Sequence, residues 1–484
     1  MYSKKDIQKY LQQYLRIAIY ELKRDNIETA LDALYHLCAL QHLFNYELRD
    51  VKVENLLKNI ATEKFEKLNF QPQRNLIFYD SVALANSALS MQYLKALNKL
   101  GYRIIYVLNS PYASDKAREL IEYAVEQKYI VEIIEKESHS IKGVDKIISL
   151  LKLYKPEIAI LHMANADVYG NIAFYTAIQT KKFYINHGDE QFWVGTGIAD
   201  YVLEFRGMGV DASVRHRGIL EERCLVNPFF PIIKSTDFQG FEFEIPKDSF
   251  IIFSGGRFVK VYSEAGKFLD VVHTLLEKYP NTFFIFAGAG DKRHMLDYIE
   301  EHGLSKRWKV IGYRSDLFQL MKKVDLYLGT YPQSGALMAQ YAAAAGTPIV
   351  EMNTNNGGVT EDMLPKLNGW SVTMDNWDAY FERIDKLIND VEYRNAFAEA
   401  LKNSLITENE FRVNLSEIFA TQTSSVEYIR RETNIKIRSE RLLEAENKYL
   451  HRVPGLMSNK LILKYFPLTA LYNLFNYFKY KMFG

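Results

Sequence analysis

Residues 325–350 read Asp-Leu-Tyr-Leu-Gly-Thr-Tyr-Pro-Gln-Ser-Gly-Ala-Leu-Met-Ala-Gln-Tyr-Ala-Ala-Ala-Ala-Gly-Thr-Pro-Ile-Val and carry signals for a strand, a helix and a second strand. The apolar run 326–328 predicts a short buried strand. Residues 336–345 are rich in Ala, Leu and Met, so they predict a helix that has Ser334 as its N-cap and ends at Gly346. The start of such a helix presents free backbone N–H groups beside small side chains, which suits a phosphate group.

Three strand-like segments precede this stretch, and the first of them ends in two glycines followed by two cations. Residues 251–260 read Ile-Ile-Phe-Ser-Gly-Gly-Arg-Phe-Val-Lys, which places Arg257 and Lys260 just after the strand. In a doubly wound sheet, ligands bind beyond the carboxyl ends of the strands, and a diphosphate bound there needs fixed positive charge. Gly255 and Gly256 would let the backbone approach that diphosphate closely. The other two segments are 282–290 and 308–313.

Together the four segments resemble the nucleotide-sugar domain of GT-B glycosyltransferases, with the closest likeness to the group 1 family and the O-GlcNAc transferase type. The resemblance implies a nucleoside-diphosphate sugar as co-substrate and no bound cofactor. It also implies phosphate contacts from Arg257, Lys260 and the helix start, and a loop after 308–313 that wraps the nucleotide base. The implied donor-binding residues are Gly255, Gly256, Arg257, Lys260, Tyr313, Arg314, Ser334, Gly335, Ala336 and Leu337.

One position departs from the family pattern. Members usually carry a carboxylate five residues before the Gly of their Gly-x-Pro turn, where it holds the donor ribose. Counting back from Gly346 gives Tyr341, which we include among the candidate donor-binding residues. Either Tyr341 or the adjacent Gln340 bonds the ribose, or Glu351 or Glu361 does so, or the donor binds weakly.

The N-terminal half predicts a second sheet. Between residues 75 and 205, apolar strand-like runs alternate with helical segments, which indicates a parallel sheet covered on both faces. Residues 5–68 have apolar side chains at helical spacing and predict two or three helices. We therefore predict an α/β protein with two Rossmann-like domains in the GT-B arrangement, an N-terminal helical addition and C-terminal helices. The expected parts are a helical layer at 1–70, an acceptor domain at 71–235, a donor domain at 236–408 and C-terminal helices at 409–484.

A loop of the first sheet supplies the catalytic candidates. Residues 186–193 read Asn-His-Gly-Asp-Glu-Gln-Phe-Trp and follow a predicted strand. His187 could take the proton of an acceptor hydroxyl, with Asp189 orienting its ring, because an unperturbed imidazole titrates near neutrality. The alternative is a histidine that only supports the fold. His162 is a second candidate for the base, and the loop that begins at Asp80 either contacts substrate or caps a helix.

Composition narrows the class of protein. A formal net charge of +1 over 484 residues gives no case for nucleic-acid binding. The only two cysteines, Cys38 and Cys224, fit a reducing compartment, and a disulfide between them stays open. No uninterrupted apolar run reaches about 18 residues, so we expect no membrane-spanning helix and a cytoplasmic protein. The aromatic and basic tail, 461–484, either lies on the inner face of a membrane or packs back on the N-terminal domain.

The function favoured by the sequence is metal-independent hexosyl transfer from a nucleoside-diphosphate sugar, with a UDP-sugar favoured, to a hydroxyl of a glycan, glycolipid or protein acceptor. No pair of aspartates lies in a loop suited to a metal ion, so we predict no metal. The resemblance implies a role in bacterial surface-glycan assembly at the cell envelope. Two alternatives stay open. One is a catalytically silent partner that stabilises another glycosyltransferase, and the other is a nucleotide-sugar epimerase, whose chemistry needs clustered acids that the sequence lacks.

Overall fold

The computed structural model describes residues 2–98, 100–233, 236–355, 359–450, 453 and 459–483, with side chains except those of 477 and 479–483. The chain divides into two compact units, and each is described here by itself. Unit 1 contains residues 1–228, 408–439 and 451–484, and unit 2 contains residues 229–407 and 440–450.

Unit 1 is built on a parallel sheet, because its apolar strands alternate with helices along the chain. The strands are β1 (Gln73–Asp80), β2 (Arg103–Asn109), β3 (Ile130–Ile134), β4 (Pro156–His162), β5 (Lys181–Ile185), β6 (Tyr201–Glu204) and β7 (Cys224–Val226). Their order is β3-β2-β1-β4-β5-β6-β7. The chain turns back from β3 to β4 beside β1, so the switch point lies between β1 and β4, where loops can diverge and hold a ligand.

A layer of three helices precedes this sheet, as the sequence predicts. The helices are α1 (Lys4–Leu22), α2 (Ile27–Phe44) and α3 (Val51–Lys64). The Ser3 side chain and the Asp6 carboxylate form a reciprocal capping box at the start of α1. On α3, the buried carboxylate of Glu54 accepts hydrogen bonds from the backbone amides of Gly195 and Thr196 at 2.8 and 3.0 Å. The layer is therefore an integral part of unit 1.

The remaining helices of unit 1 either alternate with its strands or come after unit 2 in the sequence. They are α4 (Ser87–Leu97), α5 (Ala113–Lys116), α6 (Arg118–Glu126), α7 (Ile141–Tyr154), α8 (Val168–Thr176), α9 (Gly207–Arg217) and α16 (Glu408–Thr421), together with the first turns of α17 (Ile435–Ala445), then α18 (Lys460–Tyr465) and α19 (Pro467–Phe483).

Unit 2 contains a second parallel sheet with a large apolar core. Its strands are β8 (Phe250–Arg257), β9 (Thr282–Ala289), β10 (Trp308–Ile311), β11 (Leu326–Leu328), β12 (Ile349–Met352) and β13 (Thr373–Met374), in the order β10-β9-β8-β11-β12-β13. Its helices are α10 (Lys267–Lys278), α11 (Arg293–Glu301), α12 (Leu317–Met321), α13 (Ala336–Ala345), α14 (Trp377–Asn389) and α15 (Val391–Lys402), with the last turns of α17 and a π-helical turn at Glu446–Leu450. Two parallel sheets with flanking helices confirm the predicted α/β class.

Two local predictions need correction. The sequence predicts C-terminal helices over 409–484, but α16 ends at Thr421, and Gln422 has a left-handed φ of 55° that a helix cannot continue through. Beyond it, the Ser424 hydroxyl donates a hydrogen bond of 2.6 Å to the backbone carbonyl of Val226. This non-helical segment therefore lies against the end of strand β7. Strand β7 itself is an addition to the predicted set, since three residues carry too little periodicity to be recognised.

Candidate functional site

The carboxyl edge of the second sheet brings together the predicted cations and the predicted helix start. Strands β8 and β11 are neighbours in this sheet, so the loops that follow them are adjacent. Arg257 is the last residue of β8 and is exposed, and the described residues supply it with no ion-pair partner. The Lys260 ammonium donates a hydrogen bond of 2.7 Å to the backbone carbonyl of Ser334, just before α13. Lys260 therefore stands beside the start of that helix, and Arg257 lies at the end of strand β8.

The N-cap of helix α13 lies one residue later than the sequence predicts. Gly335 is the N-cap, and its carbonyl accepts from the amides of Met338 and Ala339 at 2.8 and 3.1 Å. Ser334 is not the cap, because it precedes the N-cap and its side chain makes no capping bond. In the described part of the chain, the first two helical amides, those of Ala336 and Leu337, have no acceptor. A phosphate group bound at the helix start would accept hydrogen bonds from these two amides.

The two glycines of β8 have different reasons to be glycine. A Cβ atom on Gly255 would lie 2.7 Å from the backbone oxygen of Ala287 on β9, so close strand packing requires glycine there. Gly256 has a φ of 147°, which side chains rarely adopt. A Cβ atom there would meet only Lys260 and Thr330, at 3.6 and 3.9 Å. Because Gly256 has no side chain, its backbone is left accessible on the side of the loop that carries Lys260.

The loop after β10 presents one of its two predicted residues. Tyr313 is 80% exposed and is available to stack on a base. The Arg314 guanidinium forms an ion pair with Asp316 at 2.6 Å and donates to the backbone oxygen of Gly240 at 2.8 Å. Those contacts give Arg314 a role in anchoring the loop, and its contact with the donor stays a prediction.

The side chains considered for the ribose are all engaged inside unit 2. The Tyr341 hydroxyl donates to the carbonyl of Ile232 at 3.0 Å, and the Gln340 amide donates to the carbonyl of Phe229 at 2.8 Å. Glu351 is buried and accepts from a threonine hydroxyl. Burial by itself would raise the pKa of Glu361, but hydrogen bonds from a serine and a threonine side chain hold that pKa below its usual value. All four side chains are thus committed to contacts with other described residues of unit 2.

Arg441 of α17 is a residue that sequence reasoning missed. Its guanidinium bonds the Glu264 carboxylate at 2.7 Å and the backbone carbonyls of Pro332 and Thr354 at 3.3 and 2.5 Å. Those partners lie on the loops that follow β8, β11 and β12, three neighbouring strands of the sheet. Arg441 therefore ties together the loops at the carboxyl edge. No local pattern could predict this, because the bonded partners are 87 to 177 residues away in sequence.

Unit 1 has its own buried polar cluster at the carboxyl edge of its sheet. Asp80 ends β1 and His162 ends β4, and the two residues are paired in register. The His162 Nδ1 atom lies 3.0 Å from the Asp80 carboxylate, and both side chains are fully buried. The Tyr106 hydroxyl donates to the same carboxylate at 3.0 Å. The His162 Nε2 atom has no partner among the described residues.

His187 lies next to this cluster. Its ring stacks edge-on against His162 with 5.2 Å between centroids, and its Nε2 atom lies 3.3 Å from the Asn165 side-chain oxygen. Burial, together with the nearby His162 and His42 rings, lowers the pKa of His187 to about 3. The imidazole is therefore neutral at pH 7, the form that accepts a proton, but its low pKa makes it a weak base in this state.

Asp189 does not orient His187, so that part of the sequence interpretation is wrong. The Arg206 guanidinium donates two hydrogen bonds to the buried Asp189 carboxylate, at 2.6 and 3.2 Å. Burial raises the pKa of Asp189, against the attraction of Arg206. The adjacent Glu190 pairs with Arg438 at 2.7 Å. Arginines from other parts of unit 1 thus hold the 186–193 loop through Asp189 and Glu190. The Asp189 carboxylate is engaged with Arg206 and is not bonded to the His187 ring.

The part of the chain that the structure describes has no metal-ligand cluster, no helix able to span a membrane and no disulfide. In that part, no group of three or more His, Cys, Asp or Glu side chains is arranged to hold a metal ion. None of the described helices combines the length and hydropathy that a bilayer-spanning segment requires. Cys38 and Cys224 are both free and buried, so the disulfide that the sequence left open does not form.

Comparison with solved structures places this architecture in a known class. HepE of Anabaena, solved with UDP and glucose, superimposes with a TM-score of 0.55 at 16% identity over 72% of this chain and 99% of HepE. The O-GlcNAc transferase of Thermobaculum terrenum gives a TM-score of 0.53 at 15% identity over 90% of this chain and 85% of that enzyme. A putative UDP-N-acetylglucosamine 2-epimerase from Listeria monocytogenes gives 0.50 at 10% identity over 75% and 99%. The chain therefore has the GT-B fold, which by itself does not select between transfer and epimerisation.

A family model matches part of the second half of the chain. Residues 235–404 match the model of the family described as glycosyl transferases group 1. A search of curated protein sequences found no match to the chain. The resemblance predicted from the sequence is confirmed over residues 235–404, which are similar to the group 1 glycosyltransferases.

Proposed function

We propose that the protein transfers a hexose from a nucleoside-diphosphate sugar to an acceptor hydroxyl without a bound metal ion. The observation that carries the proposal is the Lys260–Ser334 bond beside the open amides at the start of α13, with Arg257 exposed at the end of strand β8. Fixed cations and a helix N-terminus are the groups that bind a diphosphate. The family match over residues 235–404 supports the same assignment.

The mechanism follows from where charge develops. When the sugar leaves, negative charge grows on the diphosphate, and preorganised donors lower the barrier by stabilising that charge. Arg257 and Lys260 would supply positive charge, and the amides of Ala336 and Leu337 would supply hydrogen bonds. Tyr313 would stack on the base. Protein groups thereby take the electrostatic role that a metal ion has in other transferases.

The donor and the setting are proposed from the relatives. HepE was solved with UDP and glucose, which favours UDP-hexose as the donor of this chain. Among the solved structures that superimpose is a lipopolysaccharide outer core galactosyltransferase, WaaB, with a TM-score of 0.52 at 15% identity. We infer a bacterial enzyme of surface-glycan assembly that acts on a glycan, glycolipid or protein acceptor at the cytoplasmic side of the membrane. His187 stays the candidate base for that acceptor.

A catalytically silent partner of another transferase is the second candidate. It is favoured by the engagement of Tyr341 and Gln340 within unit 2 and by the low pKa of His187. A screen of UDP- and GDP-sugars by thermal shift separates the two functions, because a bound donor stabilises the folded chain by mass action. Release of free sugar from the stabilising donor then supports the transferase. No stabilisation by any donor supports the silent partner.

A further inference from the structure

The C-terminal helix α19 is docked on unit 1 with its polar side inward. The Asn473 side-chain oxygen accepts from the Tyr10 hydroxyl at 2.9 Å. The Thr469 hydroxyl accepts from the Gln13 amide at 3.1 Å. Asn473 is fully buried, so hydrogen bonds hold this helix against α1 of the N-terminal layer.

The opposite side of α19 is apolar and faces outward. Leu468, Leu471, Tyr472 and Phe475 are 81%, 58%, 61% and 67% exposed. Their spacing of three, four and seven residues places them on one stripe of the helix. Helices on globular proteins normally turn such a stripe inward. Contiguous exposed apolar side chains of this kind mark a surface that another phase or molecule covers.

Charge identifies what covers the stripe, which consists of Leu468, Leu471, Tyr472 and Phe475. The sequence from residue 459 to the end contains no Asp or Glu and carries four lysines, two of them at Lys460 and Lys464 just before α19. Both of these lysines are exposed. A protein partner of ordinary composition does not require this one-sided charge. An anionic lipid surface attracts it, and aromatic and aliphatic side chains on one face of a helix enter the headgroup boundary.

We propose that the outward stripe of α19 docks unit 1 on a membrane surface that contains anionic lipid, with the flanking lysines on the headgroups. The helix lies in the plane of the surface, because its inward side is bonded to α1. This surface belongs to unit 1, whereas the proposed donor site belongs to unit 2. Its test therefore uses no nucleotide sugar, and its failure would leave the proposed transfer reaction untouched.

The experiment is sedimentation of the full chain with vesicles of phosphatidylcholine, with and without phosphatidylglycerol. We expect binding to the vesicles that contain phosphatidylglycerol, and weaker binding at high salt because salt screens the lysines. The double variant Leu471→Asn with Phe475→Asn should lose about tenfold or more in binding, since both side chains lose their apolar burial. The double variant Lys460→Glu with Lys464→Glu should also lose more than tenfold.

Matched controls keep the result interpretable. Leu153 is 65% exposed and lies on a different helix, α7, so Leu153→Asn should bind vesicles like the parent chain. Melting temperatures should hardly change in any variant, because the substituted side chains face solvent. The proposal is overturned if the parent ignores both kinds of vesicle or if the double apolar variant binds equally well. It is also overturned if the parent dimerises without lipid and that variant is monomeric, since the stripe would then be a contact between copies.

Discussion

The ammonium group of Lys260 donates a hydrogen bond of 2.7 Å to the carbonyl oxygen of Ser334, 74 residues further along the chain. This bond joins the loop after β8 to the turn before α13, so the cation and the helix start form one site. It holds the nitrogen at the turn that precedes the open amides of Ala336 and Leu337. A diphosphate bound there would meet positive charge and N–H groups together.

Removing either cation should weaken nucleotide binding. Lys260→Ala and Arg257→Ala each delete a charge-assisted contact worth about 1.5–3 kcal/mol of binding free energy. Arg257 is exposed, so its loss should leave the melting temperature unchanged, whereas Lys260→Ala also loses the bond to Ser334. Calorimetric titration with UDP measures both affinities. Lys306→Ala, an exposed lysine at the amino end of β10, is the control, and equal affinities in all three variants would refute the site.

Side-chain bulk at the N-cap of α13 should block the phosphate more than it harms the fold. A Cβ atom on Gly335 meets its nearest neighbour, the Tyr327 hydroxyl, at 3.4 Å, an ordinary contact. The Gly335 φ of −118° is one that valine also adopts. Gly335→Val should therefore lower UDP affinity strongly and Gly335→Ala less so, with small changes in melting temperature. Should melting temperature fall while affinity holds, the helix start is only structural.

Arg441 should act as a positioning residue for the donor loops. Arg441→Ala removes the guanidinium that bonds the Glu264 carboxylate and two loop carbonyls, so the loops after β8, β11 and β12 lose a common anchor. We expect a higher KM for the donor with a smaller change in kcat. Arg441→Lys keeps the charge but lacks the fork that reaches several partners, so it should restore the affinity only in part. A uniform loss of active protein without a shift in KM would show a purely structural role.

His187 should govern turnover and not donor affinity if it is the base. His187→Ala is expected to lower kcat by roughly 10²–10⁴-fold while leaving UDP affinity nearly intact. Because the pKa of His187 is about 3, its titration should produce no inflection in the rate near neutral pH. Unfolding of the variant, with no soluble protein to assay, would support the alternative in which this histidine only supports the fold.

The same pKa predicts an acid-dependent loss of stability. An imidazole titrates at 6.5 in the unfolded chain, while burial and His162 lower the folded pKa of His187 to about 3. The unfolded state binds more protons between these values, so the free energy of unfolding falls as the pH drops, by about 2 kcal/mol between pH 7 and pH 5. Urea unfolding of His187→Asn should lack this share of the pH dependence. His302→Asn, at an exposed histidine, should keep it.

Local sequence signals predicted much of the fold but only part of the candidate site. Helix α13 spans Ala336–Ala345 as predicted, because an Ala-rich run ends at Gly346, whose φ of 74° stops the helix. The Gln422 turn was missed, since its residue type carries no strong turn signal. The Arg441 and Arg206 contacts were missed for a different reason. They depend on which distant loops the folded sheets bring together, and no periodicity or spacing reports that.

Calorimetric titration of the parent chain with UDP tests the central claim most directly. The account predicts saturable binding that is weakened about tenfold or more in Arg257→Ala, since one charge-assisted contact is lost. If the parent binds neither UDP nor GDP at millimolar concentration, the edge formed by Arg257, Lys260 and Ser334 is not a donor site, and the transferase assignment is contradicted.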